Sequence, residues 1–575
     1  MGNPYTVPAL VVVTLVTVAI GAYGLRVART TSDFLVASRS VSPAWNAAAI
    51  GGEYLSAASF LGVAGLILKY GVDVLWYPVG FAAGYLALLL FVAAPLRRSG
   101  AFTLPDFCEV RLHSPGLRKI ATGFVVFIGW LYLVPQLQGA GLTLTTVAGA
   151  PYQLGALLVG VVVIANVALG GMRAITFVQA FQYWLKLTAL AVPAIFLMLH
   201  WQADGRPPVA PVDGPAFQQR TTVVVERSAT LTAPDGSQRQ VQAGTALVFE
   251  AGEPVPEVSG VDANNGLDWL LPGDPGRGGA PPGEAGQPCT GLCVPAGGAL
   301  FGTYSLILAT FLGTMGLPHV LVRFYTNPHG PAARRTTLVV LALVGTFYLF
   351  PTLYGVLGRV YTPQLLMTGR TDAVVLLLPE AALGHGPLGQ LLAALVAAGA
   401  LAAFLSTSSG LLTSVAGVVF ADVLNRDHGD RTVRRRGSVR DFRIATLLAG
   451  TVPVVLALNV HGLDVSQVVG LAFAVAASSF CPLLVLGIWW RGLTDAGAAA
   501  GILVGGGAAV AAVLVTVLGA PLTGWPAALV AQPAAWTVPL AFTVMVLVSV
   551  ATRRRTPADV GATMLRLHAP EATRL

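Results

Sequence analysis

The chain has 575 residues, 55% of them hydrophobic and only 10% charged, with a mean hydropathy of +0.72. Soluble domains carry about 25% charged residues, so this composition excludes a soluble protein and indicates a polytopic helical membrane protein. The net charge of +8 does not point to nucleic acid, because the basic residues gather in short segments between apolar runs.

Taken in order, the apolar runs reach the roughly 20 residues that cross hydrocarbon and predict about thirteen spans. These fall near 5–27, 44–68, 74–95, 120–148, 153–170, 176–200, 298–322, 336–358, 388–424, 441–461, 465–490, 496–518 and 534–552. The first run, Pro8–Val27, has no basic segment before it and reads as a retained helix rather than a cleaved signal. With the N-terminus outside, most of the 34 Lys and Arg residues fall on the inside, among them Arg97, Arg98, Arg111, Arg118, Arg323 and the cluster Arg426–Arg443. That asymmetry follows the positive-inside rule and predicts a plasma-membrane protein with a cytoplasmic C-terminus. The organisation expected is a first helix and loop over 1–43, a helical repeat over 44–200, an outside insert over 201–297, a second repeat over 298–490, and two further helices with a tail over 491–575.

The insert alternates apolar and polar residues in Thr221–Glu226, Ala229–Gln242 and Thr245–Glu253, around an Asp235-Gly236 turn. This is a hairpin pattern, so a small β-rich appendage is expected, with a disordered Gly/Pro-rich second half. Cys289 and Cys293 lie in it on the oxidising side, where a disulfide is chemically feasible. Cys108 and Cys481 are read as apolar packing.

The second span, Trp45–Gly65, is the anomalous one. It carries Gly51-Gly52 near its middle, then Glu53, Ser56 and Ser59. Glycine weakens a helix by about 1 kcal/mol, and a charge at mid-membrane costs about 2.5–3.5 kcal/mol on insertion scales. Both at one depth predict an interrupted helix whose freed carbonyls line a cavity. Glu53 has three readings: a pair with a basic group such as Lys186, a proton carrier, or a brace for the broken backbone. Lys186 itself is read as snorkelling to the inside surface. Five spans later, the seventh carries Gly313, Gly316 and Pro318, a corresponding interruption. The ninth contains Ser406 and Thr407, with Ala403 one turn earlier. These hydroxyls either bond a carbonyl of their own helix or ligate an ion. Ser59, Gln136 and Gln138 either complete a pocket or make ordinary interhelical bonds, and His319 is read as structural. An anionic substrate would be held by free N–H groups at half-helix N-termini, for which Gly313, Thr314 and Gly316 are the candidates, with Ser56 and Glu53 nearby. Among the motifs, no Cys/His/Asp/Glu cluster has metal spacing and no nucleophile–base pattern appears, so an enzyme is not expected. The tail after Arg555 leaves no room for a kinase, which argues against a membrane sensor.

Several stretches resemble the sodium/solute symporter family. They are Thr103–Phe107 followed by Arg111, Val167–Ala174 with its Gly-Gly pair, Ala57–Gly62, Gly313–Thr326 and Gly470–Ser478. The last three look most like the acetate and short monocarboxylate permease branch, which is similar in having an acidic residue at Glu53. The resemblance covers about 30–200 and 298–500 and leaves out the insert. It implies an all-α, LeuT-like fold of two inverted five-helix repeats with broken first helices. It implies sodium as coupling ion, held by the carbonyls of Gly52, Leu55 and Ala403 and the hydroxyls of Ser406 and Thr407. The function implied is sodium-coupled symport of a small carboxylate such as acetate, propionate or pyruvate. A proton-coupled symporter, or a family member for proline, pantothenate or sugar, is the alternative.

Overall fold

The computed structural model describes residues 3–27, 37, 41–207, most of 216–259, 292–293, 298–366, 371–424, 439–459, 465–518 and 522–569. In chain order the helices are α1 (Thr6–Val27), α2 (Pro43–Tyr54), α3 (Ala58–Lys69), α4 (Trp76–Arg98), α5 (Leu104–Leu112), α6 (Pro115–Ala148) and α7 (Tyr152–Ala203). After the insert come α8 (Gly298–Gly316), α9 (Pro318–Phe324), α10 (Gly330–Tyr361), α11 (Val374–Leu383), α12 (Pro387–Val419) and α13 (Val439–Asn459). The last are α14 (Val465–Trp489), α15 (Asp495–Val517), α16 (Gly524–Ala531), α17 (Ala534–Ala551) and α18 (Val560–His568).

Ten described helices are long and apolar enough to cross a membrane, and twelve if each of two bent pairs counts as a span. The bent pairs are α2/α3, at 71°, and α8/α9, at 42°. The 52-residue α7 is too long for one crossing, and Gly171 (φ 56°, ψ −164°) breaks it. Its two arms correspond to the fifth and sixth expected spans, which brings the count to the thirteen expected. A left-handed φ is open to glycine and costly for other residues, so the second glycine of the Gly170-Gly171 pair fixes the turn between the arms.

Side-chain caps set several helix starts. Thr103 Oγ1 accepts from Asp106 N at 3.2 Å, with Pro105 in the first turn of α5. Ser114 Oγ accepts from Leu117 N at 3.3 Å ahead of Pro115 in α6. Both satisfy N–H groups the helix leaves free.

The core is layered around α12, every residue of which is buried from Val396 to Val418. That run is rich in Ala, Gly, Ser and Thr, the small residues that let membrane helices approach closely, with Val and Leu between them. α12 lies against α7, α6 and α1, and α14 lies against α8. The rim is apolar: Val7, Val11, Val12, Leu15 and Val18 of α1 are all exposed, as expected for a lipid-facing helix.

Arg118 joins three elements. It reaches Asp106 of α5 at 2.7 Å, Glu109 of α5 at 2.5 Å and Asp422, just past α12, at 2.5 Å. Arg111 of α5 donates to the carbonyls of Gly487 (2.8 Å) and Trp490 (3.1 Å), capping α14. Burial lowers its pKa to about 10, which leaves it charged at neutral pH.

The insert contains the expected hairpin. β2 (Ala229–Thr232) pairs antiparallel with β3 (Gln238–Val241) over a turn containing Gly236 at φ 82°. β1 (Thr221–Val224) pairs with β4 (Ala246–Phe249), and β5 (Glu257–Ser259) adds to β2. Residues 260–291, with Cys289, lie outside the described residues, so the expected disulfide and the expected disorder do too. A two-residue β6 (Leu292–Cys293) runs parallel to β7 (Leu522–Thr523).

Candidate functional site

The break in the second span is where four helices meet. α2 ends at Tyr54, and Leu55 leaves the helical region with ψ 85°. A broken helix strands carbonyls that lipid cannot satisfy, and here side chains meet three of them. Lys186 Nζ donates to Gly52 O at 2.5 Å and Leu55 O at 2.7 Å. Thr407 Oγ1 donates to Glu53 O at 2.6 Å. On the far side of the break, Ala57 N donates to Gln136 Oε1 at 2.8 Å.

The backbone can reach these partners because glycine sits at the contacts. A Cβ at Gly52 would overlap Gln179 O of α7, and one at Gly410 of α12 would overlap the Glu53 carboxyl group. Gly410, within the Ser-Thr-Ser-Ser-Gly run, is thus the recess that admits the carboxylate.

Glu53 is 1% exposed and pairs with Arg323 of α9, which is fully buried, through Oε2 at 2.6 Å. The same guanidinium donates to Thr176 Oγ1 at 2.9 Å and to Gln179 Oε1. Gln179 Nε2 in turn donates to Ser406 O at 2.8 Å. One carboxylate thereby ties the first broken helix to the second, and both to α7 and α12. This corrects two expectations. The partner of Glu53 is Arg323 rather than Lys186, and Arg323 is not an inside-surface charge. The available signal was its place in Pro318–Phe324, one turn after His319 and directly behind the second break.

Lys186 also departs from expectation. It is fully buried and does not snorkel. Its ammonium contacts Gly52 O, Leu55 O and, at 3.0 Å, Ser406 Oγ. Those are three of the five oxygens expected to bind sodium. The others are engaged as well: Ala403 O accepts from Ser406 Oγ at 3.0 Å, and Thr407 Oγ1 is given to Glu53 O. Each of the five oxygens thus has a partner within the protein, and Lys186 Nζ holds three of them. A sodium ion about 4 Å from that ammonium would be repelled by about 4 kcal/mol at an effective dielectric constant near 20.

The residues expected to hold substrate divide. Glu53, Ser56, Ser59, Gln136 and Gln138 are all buried around the break. Ser59 Oγ shares a hydrogen bond with Tyr348 OH at 2.8 Å. Thr314 Oγ1 shares one with Tyr54 OH, also at 2.8 Å, and so joins the two broken helices. Gly313, Thr314 and Gly316 lie ahead of the second break, in the C-terminal turns of α8. They are not at a half-helix N-terminus, which corrects their expected donor role. The glycines serve packing instead: a Cβ at Gly313 would lie 2.5 Å from Phe473 O, and one at Gly316 would overlap Ala476 O of α14.

Aromatic side chains unforeseen in the sequence pack together beside the break. Tyr54 packs edge-on against Tyr85 (4.7 Å) and Phe81 (5.7 Å), and Phe81 packs against Phe473 (5.0 Å). Tyr132 meets His319 at 5.3 Å. The Tyr85 hydroxyl and both His319 ring nitrogens are buried with no hydrogen-bond partner among the described residues. Buried polar atoms are normally satisfied, so this hydroxyl and this ring, whose neutral form offers one donor and one acceptor, are left with unused hydrogen-bonding capacity. A pocket that none of these aromatics lines opens between α5, α6, α7, α9 and α12, with Thr103, Val125, Met172, Pro318, Thr413 and Ser414 in its wall.

Among the described residues no group of three or more His, Cys, Asp or Glu could hold a metal. The arrangement is one of charged and hydroxyl groups around two broken helices, suited to binding and release.

Comparison with known proteins agrees with that arrangement. The profile of the Sodium:solute symporter family matches residues 34–206 and 297–505. The chain is 30% identical over 568 residues to the monocarboxylic acid transporter of Corynebacterium glutamicum, covering 94% of this chain and 90% of that one. It is 29% identical to the uncharacterized symporter YwcA of Bacillus subtilis, covering 89% and 88%. The structure of a Na+-coupled sialic acid symporter, in a substrate-bound outward-open state, superposes with a TM-score of 0.60 at 13% identity, covering 94% of this chain and 98% of that one. That likeness shows the fold: two broken-helix repeats, as the sequence led one to expect. The chain belongs to the sodium:solute symporter family.

Proposed function

We propose that this protein is a secondary active transporter that imports a small monocarboxylate, such as acetate, propionate or pyruvate, by alternating access in symport with a monovalent cation. The observation that carries this reading is the charge at the break. Glu53 is one buried carboxylate facing two buried cations, Arg323 and Lys186. With both basic groups protonated, one positive charge is left over, and an uncompensated charge is costly in a low-dielectric interior. A single carboxylate cancels it. The aromatic walls of Tyr54, Tyr85, Phe81 and Phe473 suit a short acyl group, and the unpartnered Tyr85 hydroxyl and His319 ring supply donors. Ser56, Ser59, Gln136, Gln138 and Thr314 complete the surroundings. The name of the Corynebacterium relative points to the same substrate class.

Family membership favours sodium as the cation, and the oxygens the resemblance assigns to it, on Gly52, Leu55, Ala403, Ser406 and Thr407, would be open to it only with Lys186 withdrawn from Gly52 O, Leu55 O and Ser406 Oγ. The distribution of basic residues supports an N-terminus outside and a C-terminus inside the plasma membrane. The test is uptake of labelled acetate, pyruvate and proline into proteoliposomes under imposed sodium or proton gradients. Accumulation of either monocarboxylate above the leak of protein-free vesicles is expected. Accumulation of proline alone would move the reading to another branch of the family.

A further inference from the structure

Resting on the alternating access proposed above, we infer that α18 is an autoinhibitory strap: docked across the inside ends of α4 and α14, it holds that face shut, and transport runs faster once it lifts. The helix is amphipathic. Val560, Met564 and Leu567 recur at helical spacing and pack inward, with Met564 and Leu567 buried, while Leu565 between them is 69% exposed. α18 lies against α4 and α14.

Polar contacts fix it at both ends. Arg98, the last residue of α4, donates through Nη1 to His568 O at 3.1 Å and Leu567 O at 3.5 Å. Those are carbonyls that a helix end leaves free. The His568 ring meets Trp489 of α14 at 4.8 Å, and Trp489 Nε1 donates to Phe91 O of α4 at 3.0 Å. Asp559, just before α18, pairs with His113, just after α5, at 3.5 Å. The chain leaves α4 through Gly100 (φ 79°), where a Cβ would overlap the Arg566 guanidinium.

The strap joins two bodies that alternating access must move apart. α4 goes with the second broken helix. Arg97, next to Arg98, donates to Asn327 O and, at 2.6 Å, to Pro328 O, in the turn that ends α9. Higher up, a Cβ at Gly80 would overlap Thr310 of α8, and one at Gly84 would overlap Thr314. α9 in turn carries Arg323 to Glu53. α5 goes with the frame, because Arg118 ties it to α6 and to Asp422 past α12. Arg111 of α5 also holds the end of α14. Rocking of the broken helices against such a frame stretches the contacts that α18 makes to both, so the strap raises the barrier to opening. None of the residues at the break belongs to α18, so its release leaves the site intact.

Two variants of the whole protein test this. One lacks residues 557–575. The other carries Trp489→Cys and His568→Cys, joined by a cleavable bifunctional thiol reagent that keeps the strap docked. Opening is read from Ser414→Cys, in the pocket behind α9, by its rate of reaction with a bulky polar maleimide, counted over the same protein without that cysteine. Removing the strap is expected to speed this labelling, and initial pyruvate uptake into proteoliposomes, at least threefold. The cross-link should slow both at least fivefold, and cleaving it should restore them. A folded deletion that labels no faster than the full chain would overturn the inference, as would a cross-linked protein that opens and transports at the full rate. If the deletion does not fold, the cross-linked protein decides alone. Labelling that follows the strap in a protein that takes up no pyruvate would uphold the strap and overturn the substrate reading.

Discussion

The Glu53–Arg323 pair offers the sharpest energetic test of the site. Both side chains are buried, the Nε–Oε2 distance is 2.6 Å, and the partners come from the two broken helices, 270 residues apart. Replacing Glu53 by Gln leaves a buried guanidinium with Thr176 and Gln179 but no counter-charge. Removing one member of a buried pair costs about 3–5 kcal/mol. Gln keeps an accepting oxygen, so a loss near about 3 kcal/mol is expected, roughly a hundredfold in the folding equilibrium. Arg323→Met should cost a similar amount, because it strands the Glu53 carboxylate. In the double variant neither charge is left alone, so its loss should fall short of the sum of the singles by about 2–3 kcal/mol. Denaturation of the four proteins in detergent micelles would measure this coupling. Losses that add to within about 0.5 kcal/mol would refute the pair as a bond between the two helices.

Other substitutions probe the surroundings. Gly410→Ala places a methyl group on the Glu53 carboxyl and should destabilise the protein by about 1–3 kcal/mol, the usual cost of overpacking; an unchanged melting midpoint would show that the recess is not needed. Tyr54→Phe removes the 2.8 Å link to Thr314 and should cost about 1 kcal/mol while weakening uptake, which thermal denaturation and transport assays would separate. Ser406→Ala with Thr407→Val takes one donor target from Lys186 and the clamp from Glu53 O; it should weaken cation-driven uptake, and unchanged dependence on the driving cation would reject these oxygens as its site. Cysteines placed at Asn3 and Thr573 should be labelled from opposite faces of the membrane, and labelling of both from one face would contradict the thirteen-span topology.

Much of this architecture was legible because lipid imposes a strict code. Each crossing must be a long apolar helix, and Gly51-Gly52-Glu53 violates that rule openly enough to mark the break. The alternation around Asp235-Gly236 marked the hairpin for the same local reason. What local pattern could not give was partnership. Arg323 lies in a basic-looking stretch that the positive-inside rule assigns to a surface, and only the return of the second broken helix places it on Glu53. Lys186 reads as a snorkelling residue because its helix alone cannot reveal that Gly52 O, Leu55 O and Ser406 Oγ converge on it. Gly313 and Gly316 were seen as an interruption, correctly, yet their contacts are with α14, and the break comes after them. The aromatic walls were missed because Tyr85, Phe81 and Phe473 follow no spacing along the chain; they meet only when α2, α4 and α14 pack.

The most direct test of the central claim is the accumulation of labelled pyruvate by the purified protein in proteoliposomes, read against protein-free vesicles, with inward proton and sodium gradients imposed separately. The account predicts concentrative uptake that unlabelled acetate and propionate inhibit and that dissipating the driving gradient abolishes. Equilibration without accumulation under both gradients, or uptake indifferent to competing monocarboxylates, would contradict it.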